Sequence, residues 1–445
     1  MTLFTRRVIT ISFILAFFII APVTLLYTSG FRYNWQKKKI GEVGVLGIKT
    51  YPTNTNVYLN NQQQKNSSPL YINDLAPNVY TVRVELPGYF SWTKNLEVQS
   101  LESTLAYDIT LFKQSKPQSL VNGIINAYAL DHTGEHIAVV RDAQTIEIFS
   151  SSGEKQDTLY TSPEKNLTQV QISWSANNSY ILVTNLTNQN SSLVVPTDTK
   201  KQTKTTLKLA GAPLIHPRFD NSDDEILYGI MNAQLVKISL SSSQMSPLQE
   251  FVQSFEVTPI GVITLISTPT GVEVTRLTNR LILKPSEKLS TLPKGDYALL
   301  PGSVRSFIAI LNKTTDKIWL LNTKNSASQF IELNANTGMF GDGTKNEVFL
   351  SSGKEEINVF NSTKNQSTLL GRYAKAPSFS LPLYNTPYYL FYIENKLSIM
   401  ELDNRDKRNT ITLLTDPSIS NISMDKLSTK IFYTTPAGLF MLEIQ

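Results

Sequence analysis

Between Lys113 and Gln445 one pattern recurs eight times: an apolar approach, a polar turn, a strand, a second turn and another strand. The clearest copy reads Ala129-Leu130-Asp131-His132-Thr133-Gly134-Glu135-His136-Ile137-Ala138-Val139-Val140, followed by Thr145–Phe149. Ile172–Val183 is followed by Leu193–Val195, and Arg218–Tyr228 by Leu235–Leu240. Weaker copies pair Val262–Ile266 with Val272–Leu277, Phe307–Leu311 with Ile318–Leu321, and Glu347–Leu350 with Ile357–Phe360. The last two pair Tyr388–Ile393 with Leu397–Leu402, and Ile431–Tyr433 with Gly438–Ile444. Turns fall near positions 134, 177, 223, 260, 304, 344, 386 and 428, so the spacing is 37 to 46 residues. That spacing is inside or close to the range of about 40–50 residues typical of propeller blades. No copy can bury both faces alone, so the copies must stack around an axis. The expected fold is all-β, with a β-propeller of about eight blades over residues 113–445. Seven blades plus a stray hairpin is the alternative. The chain ends on an inner hairpin strand, and a strand near Leu120–Ile125 is expected to complete the last blade and remove its open edge.

The formal net charge of +5 is not a property of the whole chain. Residues 1–40 hold Arg6, Arg7, Arg32, Lys37, Lys38 and Lys39 and no acid, a charge of +6; the remaining 405 residues carry −1. A nucleic-acid footprint is therefore absent. The basic residues flank Val8–Tyr27, a run of 20 residues without charge. As a helix this run spans roughly 30 Å, the thickness of a bilayer core. Pro22 lies within it, and Tyr27, Phe31, Tyr33 and Trp35 follow as an interfacial aromatic belt would. A cleaved signal peptide usually has an apolar core of about 7–15 residues and a small-x-small cleavage site. This run is longer and Leu26-Tyr27-Thr28-Ser29-Gly30 is a poor site, so a retained anchor is expected. The expected division is a stub (1–7), a transmembrane helix (8–27), a juxtamembrane linker (28–42), a small β-sandwich (43–112) and the propeller (113–445).

Within 43–112, Tyr80, Val82, Val84 and Leu86 alternate with Thr81, Arg83 and Glu85, the period of a half-buried strand. Val43–Thr50, Val57–Asn60, Phe90–Val98 and Leu105–Phe112 supply further strands, with Pro87-Gly88 as a turn. Phe90 and Trp92 fall on one face and Tyr89 on the other, which reads as core packing. This stretch resembles the PEGA domain family. Gly47-Ile48-Lys49-Thr50-Tyr51-Pro52 resembles its first strand, although the tetrapeptide reads Pro52-Thr53-Asn54-Thr55 and keeps only the proline. Val57-Tyr58-Leu59-Asn60, Ser68-Pro69-Leu70, Leu75-Ala76-Pro77-Asn78-Val79-Tyr80-Thr81-Val82 and Pro87-Gly88-Tyr89 follow in the family's order. Asn61 and Asn78 stand where the family has glycine, and Asn78 is expected to take the left-handed conformation asparagine tolerates. The resemblance implies an extracytoplasmic β module that binds proteins or wall material and carries no catalytic motif.

Leu130-Asp131-His132-Thr133-Gly134 and Ile172-Ser173-Trp174-Ser175-Ala176-Asn177-Asn178 resemble the Trp-Ser-Pro-Asp-Gly turn of TolB-like and WD-type propellers. The combination resembles surface proteins of small-genome, uncultured bacterial lineages. A bare count of basic residues puts the C-terminal part in the cytoplasm. Arg6 and Arg7 touch the span, however, whereas Lys37–Lys39 lie ten or more residues beyond it. The downstream region is Ser/Thr/Asn-rich and cysteine-free, as exported bacterial proteins often are. N-in, C-out is the expected orientation, in part because of the PEGA resemblance. The Asn-x-Ser/Thr triplets at Asn166, Asn185, Asn312, Asn361 and Asn421 reflect composition rather than glycosylation.

No constellation of catalytic residues stands out. With no cysteine there is no disulfide, thiol nucleophile or Cys-based metal site. Only His132, His136 and His216 could serve a Ser–His–acid triad. His132 and His136 flank a β-turn, and His216 precedes Pro217 in what reads as a structural connector. Asp220-Asn221-Ser222-Asp223-Asp224-Glu225 offers oxygen ligands but lacks the EF-hand pattern and reads as a solvated turn. Gly341-Asp342-Gly343-Thr344-Lys345 lacks the spacer of a phosphate loop. Trp174 and Trp319 are expected between blades. No catalytic residue, cofactor site or metal site is assigned. The expected function is non-catalytic binding or scaffolding at the bacterial cell surface, with envelope proteins or cell-wall polymer as partners, no nucleic acid and an open oligomeric state. The alternatives are a propeller enzyme acting on envelope glycans or peptides, and a cytoplasm-facing assembly protein.

Overall fold

The computed structural model describes residues 3–34, 39–186, 192–198, 213–277, 286–302, 307–323, 330–341, 348–353, 355–361 and 364–445. Trp35, Lys37, Lys38, Glu347, the expected turns near 304 and 344, and residues 342–345 of the glycine-rich segment lie outside the described residues. The chain divides into two units: residues 1–114 with 400–411, and residues 115–399 with 412–445.

The first unit begins with helix α1 (Leu3–Thr28), which contains Pro22. Over Phe4–Thr28 the mean hydropathy is 2.6 and nothing is buried. The hydroxyls of Thr10, Thr24 and Thr28 donate back to carbonyls four residues earlier, at 2.8–2.9 Å, so these hydroxyls are satisfied within the helix. Gly30, at φ +85°, turns the chain into an antiparallel hairpin of β1 (Phe31–Asn34) and β2 (Lys39–Glu42). Next come β3 (Gly44–Tyr51), β4 (Asn56–Leu59), β5 (Gln62–Gln63), β6 (Leu70–Leu75), β7 (Asn78–Glu85), β8 (Trp92–Val98) and β9 (Ser103–Thr110). They form two sheets, β6-β3-β9 and β5-β4-β7-β8. Leu46, Ile48, Val57, Val82, Val84, Trp92 and Leu96 fill the layer between them, which makes the expected β-sandwich. Asn78 departs from expectation. It has no positive φ; it opens β7 and accepts the Val79 N–H at 2.8 Å. Asn60 and Asn61 do take left-handed conformations, at the tight turn between β4 and β5.

Strand β8 alternates strictly, with Trp92, Lys94, Leu96 and Val98 inward. Lys94 is thus a lysine with a side chain 0% exposed, and it forms an ion pair with Glu401, 3% exposed. Its Nζ also donates to the Asp403 carbonyl at 2.7 Å. The Glu401 carboxylate accepts from Trp92 Nε1 at 2.8 Å and from the Asn409 N–H at 2.8 Å. The segment 400–411 is therefore an integral part of this unit, although it comes from far along the chain. Charges so buried are tolerable only when paired and fully hydrogen-bonded.

Among the described residues eight sheets make up the second unit, and the last two strands of one of them run into residues 400–411 of the first. Seven follow one another in sequence: blades 1 to 7 at residues 125–161, 170–196, 215–249, 252–292, 297–333, 337–372 and 379–415. Blade 2 has three described strands and the rest have four. Blade 8 takes three strands from residues 420–443 and its fourth from β10 (Gln118–Asn122). β10 pairs antiparallel with Gly438–Glu443, Gln118 opposite Met441 and Asn122 opposite Gly438. This is the closing strand expected near Leu120–Ile125. The ring can be followed all the way round. Apolar clusters join blades 1 and 2 through Ile146 and Trp174, 2 and 3 through Leu182 and Leu227, and 3 and 4 through Tyr228 and Phe255. Others join 4 and 5 through Ile263 and Ile310, 5 and 6 through Phe307 and Phe360, and 8 and 1 through Leu439 and Val139. Ser352 and Ser380 join blades 6 and 7 at 2.7 Å, and the Tyr384 N–H donates to Ser428 Oγ at 2.9 Å between 7 and 8. The architecture is an eight-bladed propeller.

Two outcomes test these packing arguments. Leu439→Ala removes a fully buried side chain at the closure and is expected to cost about 2–5 kcal/mol in denaturant unfolding. Lys94→Met leaves the Glu401 charge buried without its cation and is expected to cost about 3–5 kcal/mol, most of it recovered by adding Glu401→Gln. Additive losses in the double variant would show that the pair is not coupled.

Candidate functional site

Six blades solve the same local problem where the first strand leads into the second. The backbone N–H at the end of the first strand donates across the turn to the start of the second. The pairs are Asp131 to His136, Ser175 to Tyr180, Asp220 to Ile226, Leu300 to Ala309, Leu383 to Tyr388 and Asp425 to Lys430, at 2.9–3.1 Å. Where the first residue is aspartate, its carboxylate also satisfies the turn. Asp131 accepts from the N–H groups of Gly134 and Glu135 at 2.6 and 3.0 Å, and contacts His136 Nδ1 at 3.0 Å. Burial alone would raise the Asp131 carboxyl, but the hydrogen bonds from His136, Thr133 and Gly134 outweigh it and hold it below the usual carboxylate range. Asp425 accepts from the N–H groups of Thr429 and Lys430, both at 2.7 Å.

The turns also tie blade to blade. Asn178 Nδ2 donates to Asp131 at 3.2 Å, the Asn177 N–H to Asp224 at 2.8 Å, and Asn221 Nδ2 to the Val257 carbonyl at 3.0 Å. This accounts for the acidic run at 220–225. Asp220 and Asp224 are buried rather than solvated, because turn and neighbour donors take up their oxygens. His132 lies in the first turn of blade 1 and His136 opens the strand after it. Trp174 packs between blades 1 and 2 and donates to the Ala129 carbonyl at 3.0 Å; Trp319 packs against the cluster of blades 4 and 5 and donates to Glu332 at 3.0 Å. Among the described residues no group of three or more His, Asp or Glu side chains could hold a metal ion.

The first strands of blades 1 and 2, 3 and 4, 4 and 5, and 6 and 7 contact one another, as strands near a common axis do. The first strands of the eight blades are Ile125–Leu130, Val170–Trp174, Ile215–Phe219, Val252–Thr258, Tyr297–Leu299, Thr337–Phe340, Phe379–Pro382 and Ser420–Met424. Among their described residues only three histidine or charged side chains occur: His216 and Arg218 in blade 3 and Glu256 in blade 4. His216 lies in a strand and not in a connector. A bulge between Ile215 and Arg218 absorbs Pro217 and places His216 at φ +51°. Burial pushes the His216 pKa down, and the charges of Arg218 and Lys313 push the same way, so its imidazole is neutral at neutral pH. Glu256 is half-buried. Desolvation raises its pKa to about 6 against the opposing effects of the Arg218 charge and the Gly302 N–H. The site therefore offers a fixed cation, a neutral imidazole and a carboxyl that changes charge near physiological pH. It can hold a polar ligand by charge and hydrogen bonding. Among the described residues no hydroxyl is hydrogen-bonded to His216 or Glu256, as an activated nucleophile would be.

Sequence reasoning passed over Arg218 and Glu256, although a signal was present. With the turns aligned, the position two before Asp131, Ser175, Asp220, Thr258, Leu300 and Asp425 reads Ala129, Ser173, Arg218, Glu256, Ala298 and Ser423. Ala or Ser fills this position in the other aligned blades except blade 7, which has Leu381 two before Leu383, and opposite charges fill it in two consecutive blades.

In comparison with known proteins, the PEGA domain model matches residues 43–114. No curated protein matches the chain. Among solved structures, Sqt1 of Saccharomyces cerevisiae is similar at 8% identity and a TM-score of 0.49, over 74% of this chain and 98% of that one. The dihydro-heme d1 dehydrogenase NirN is similar at 10% identity and a TM-score of 0.49, over 69% of each chain. Dipeptidyl peptidase 4 of Porphyromonas gingivalis is similar at 11% identity and a TM-score of 0.48, over 71% of this chain and 56% of that one.

The raised Glu256 pKa makes a pH prediction. The fold favours its protonated form. The associated stability is full below about 4.5, the ordinary glutamate value, and is lost as pH rises through about 6. Glu256→Gln mimics the protonated form at every pH. Its melting temperature is expected to match the parent near pH 4 and to exceed it at pH 8. Equal melting curves at both pH values would place Glu256 in water.

Proposed function

We propose that the chain is a membrane-anchored, extracytoplasmic binding or scaffold protein at the cell surface, and that its propeller binds an envelope protein or wall polymer without turning it over. The observation that carries the reading is the bare apolar surface of α1, 26 residues long and unburied across its span. In water such a surface is a liability, and a bilayer removes it. The PEGA match from residue 43 and the propeller after it support a binding role. The axial cluster of His216, Arg218 and Glu256 is the proposed point of attachment.

An enzyme acting on envelope glycans fits less well. Glycoside cleavage uses two carboxylates about 5–10 Å apart across the bond, and Glu256 is the one carboxylate in the described first strands. A cytoplasm-facing assembly role reverses the orientation.

The absence of cysteine makes a direct test simple. Lys165, exposed in the connection between blades 1 and 2, is replaced by cysteine. Intact cells treated with a membrane-impermeant maleimide are expected to label Lys165→Cys, and the chain is expected to stay in the membrane after alkaline carbonate washing. Labelling only after lysis would overturn the extracytoplasmic reading. The full chain, captured from solubilised envelope, is expected to retain a component that an Arg218→Ala, Glu256→Gln double variant loses. Equal recovery by both would remove the axial cluster from the function.

A further inference from the structure

The base of the first unit contains an open groove of about 1030 Å³. One wall is the last turns of α1, with Val23, Leu26 and Tyr27; the other is the β1–β2 hairpin and the edge of the sandwich, with Ile40, Ala76, Pro77 and Ser100. The hairpin is held to the sandwich by a relay of backbone bonds: Val43 N–H to Gly30 C=O and Leu101 N–H to Val43 C=O, each 3.0 Å. Val23 and Ile40 are 61% and 58% exposed, so the groove is lined by apolar groups that no described residue covers.

We propose that this groove is a phospholipid site, in which one acyl chain of a zwitterionic lipid lies against Val23, Leu26 and Ile40 and the headgroup meets Arg32, Glu42 and Asp74. The inference rests on the membrane anchoring proposed above. Two observations fix the occupant. The first is continuity: Val23 and Leu26 belong at once to the apolar span and to the groove wall, so the medium around α1 extends into the groove. The second is charge. The ionisable acids and bases of the lining are one guanidinium and two carboxylates, Arg32, Glu42 and Asp74. A lone phosphate diester meets a net negative set there, whereas a phosphate with an ammonium has a partner for each charge. Arg32 is held in place for this role. Its Nη1 donates to the Tyr27 and Phe31 carbonyls at 2.6 and 3.0 Å, its Nε lies 2.8 Å from Asp74, and its guanidinium stacks 3.7 Å from the Tyr27 ring centroid. Tyr27 and Tyr33 are exposed beside it, at the depth where aromatic side chains meet headgroups.

The test uses the full chain in phospholipid nanodiscs, with single cysteines at Val23, Ser100 or Lys165 carrying a nitroxide. Accessibility to oxygen, which concentrates in lipid, is compared with accessibility to a water-soluble nickel chelate. Val23 and Ser100 are expected to behave as lipid-exposed and Lys165 as water-exposed. If Val23 is lipid-exposed but Ser100 is reached by the nickel chelate, or by neither reagent, the groove holds water or protein and the lipid site is overturned while the anchor stands. If Val23 itself is water-exposed, the anchoring reading fails first. Headgroup choice is read by native mass spectrometry from discs of equal phosphatidylethanolamine and phosphatidylglycerol. Retained phosphatidylethanolamine is expected to predominate. Arg32→Gln is expected to lower it about tenfold and Arg32→Lys to restore much of it. Retention of phosphatidylglycerol instead, or no effect of Arg32→Gln, would overturn the headgroup assignment.

Discussion

The propeller depends on one pairing: β10 against Gly438–Glu443. Each blade buries its faces only against its neighbours, so an open stack would leave blade 1 and blade 8 with bare apolar faces and one unpaired edge. The strand that repairs this comes from the far end of the repeat array. It places Leu120 and Val121 in the same cluster as Ile137, Val139, Phe432 and Leu439, so edge and face are closed together. The geometry at the joint is tight. A Cβ on Gly438 would come within 2.1 Å of the Val121 carbonyl oxygen, so only glycine lets the two backbones approach.

Polar residues follow the same economy in both units: those that are buried hold backbone in place. The aspartates of the turns accept N–H groups that a tight reversal would otherwise orphan. Glu401 does the same for Trp92 and Asn409 while neutralising Lys94. Against this background the axial cluster is distinctive. Arg218 and Glu256 put charge at a position where the other aligned blades carry Ala, Ser or Leu, and Glu256 retains a proton more readily than a glutamate in water. Groups that are costly to desolvate and that close no turn are good candidates for contacting a ligand.

Repetition and alternation made the architecture readable. The spacing of the Asp131, Ser175 and Asp220 turns, the alternation of Tyr80, Val82 and Val84, and the uncharged run Val8–Tyr27 each report a local period, and each appears as an element in the structure. What escaped the sequence depends on contacts across long separations. Lys94 reads as an outward residue by composition, and nothing near it in the chain points to Glu401, more than 300 positions away. The loss of glycine at Asn78 looked like a left-handed site, but the Val79 N–H offered the asparagine a local partner and the strand simply began there. Pro217 looked like the mark of a connector, and a bulge absorbed it within a strand.

The closing pair also sets an order in time. β10 is among the first strands of the propeller to be made and its partner the last, so the ring cannot seal until the last blade has been made. Blades 1 to 7 can stack as they emerge, but throughout that interval the array is an open arc whose first face and last edge are available to other chains. Long-range closure of this kind is slow and exposed to misassembly. A chain built this way benefits from whatever shields an unfinished arc while it waits for its own final strand.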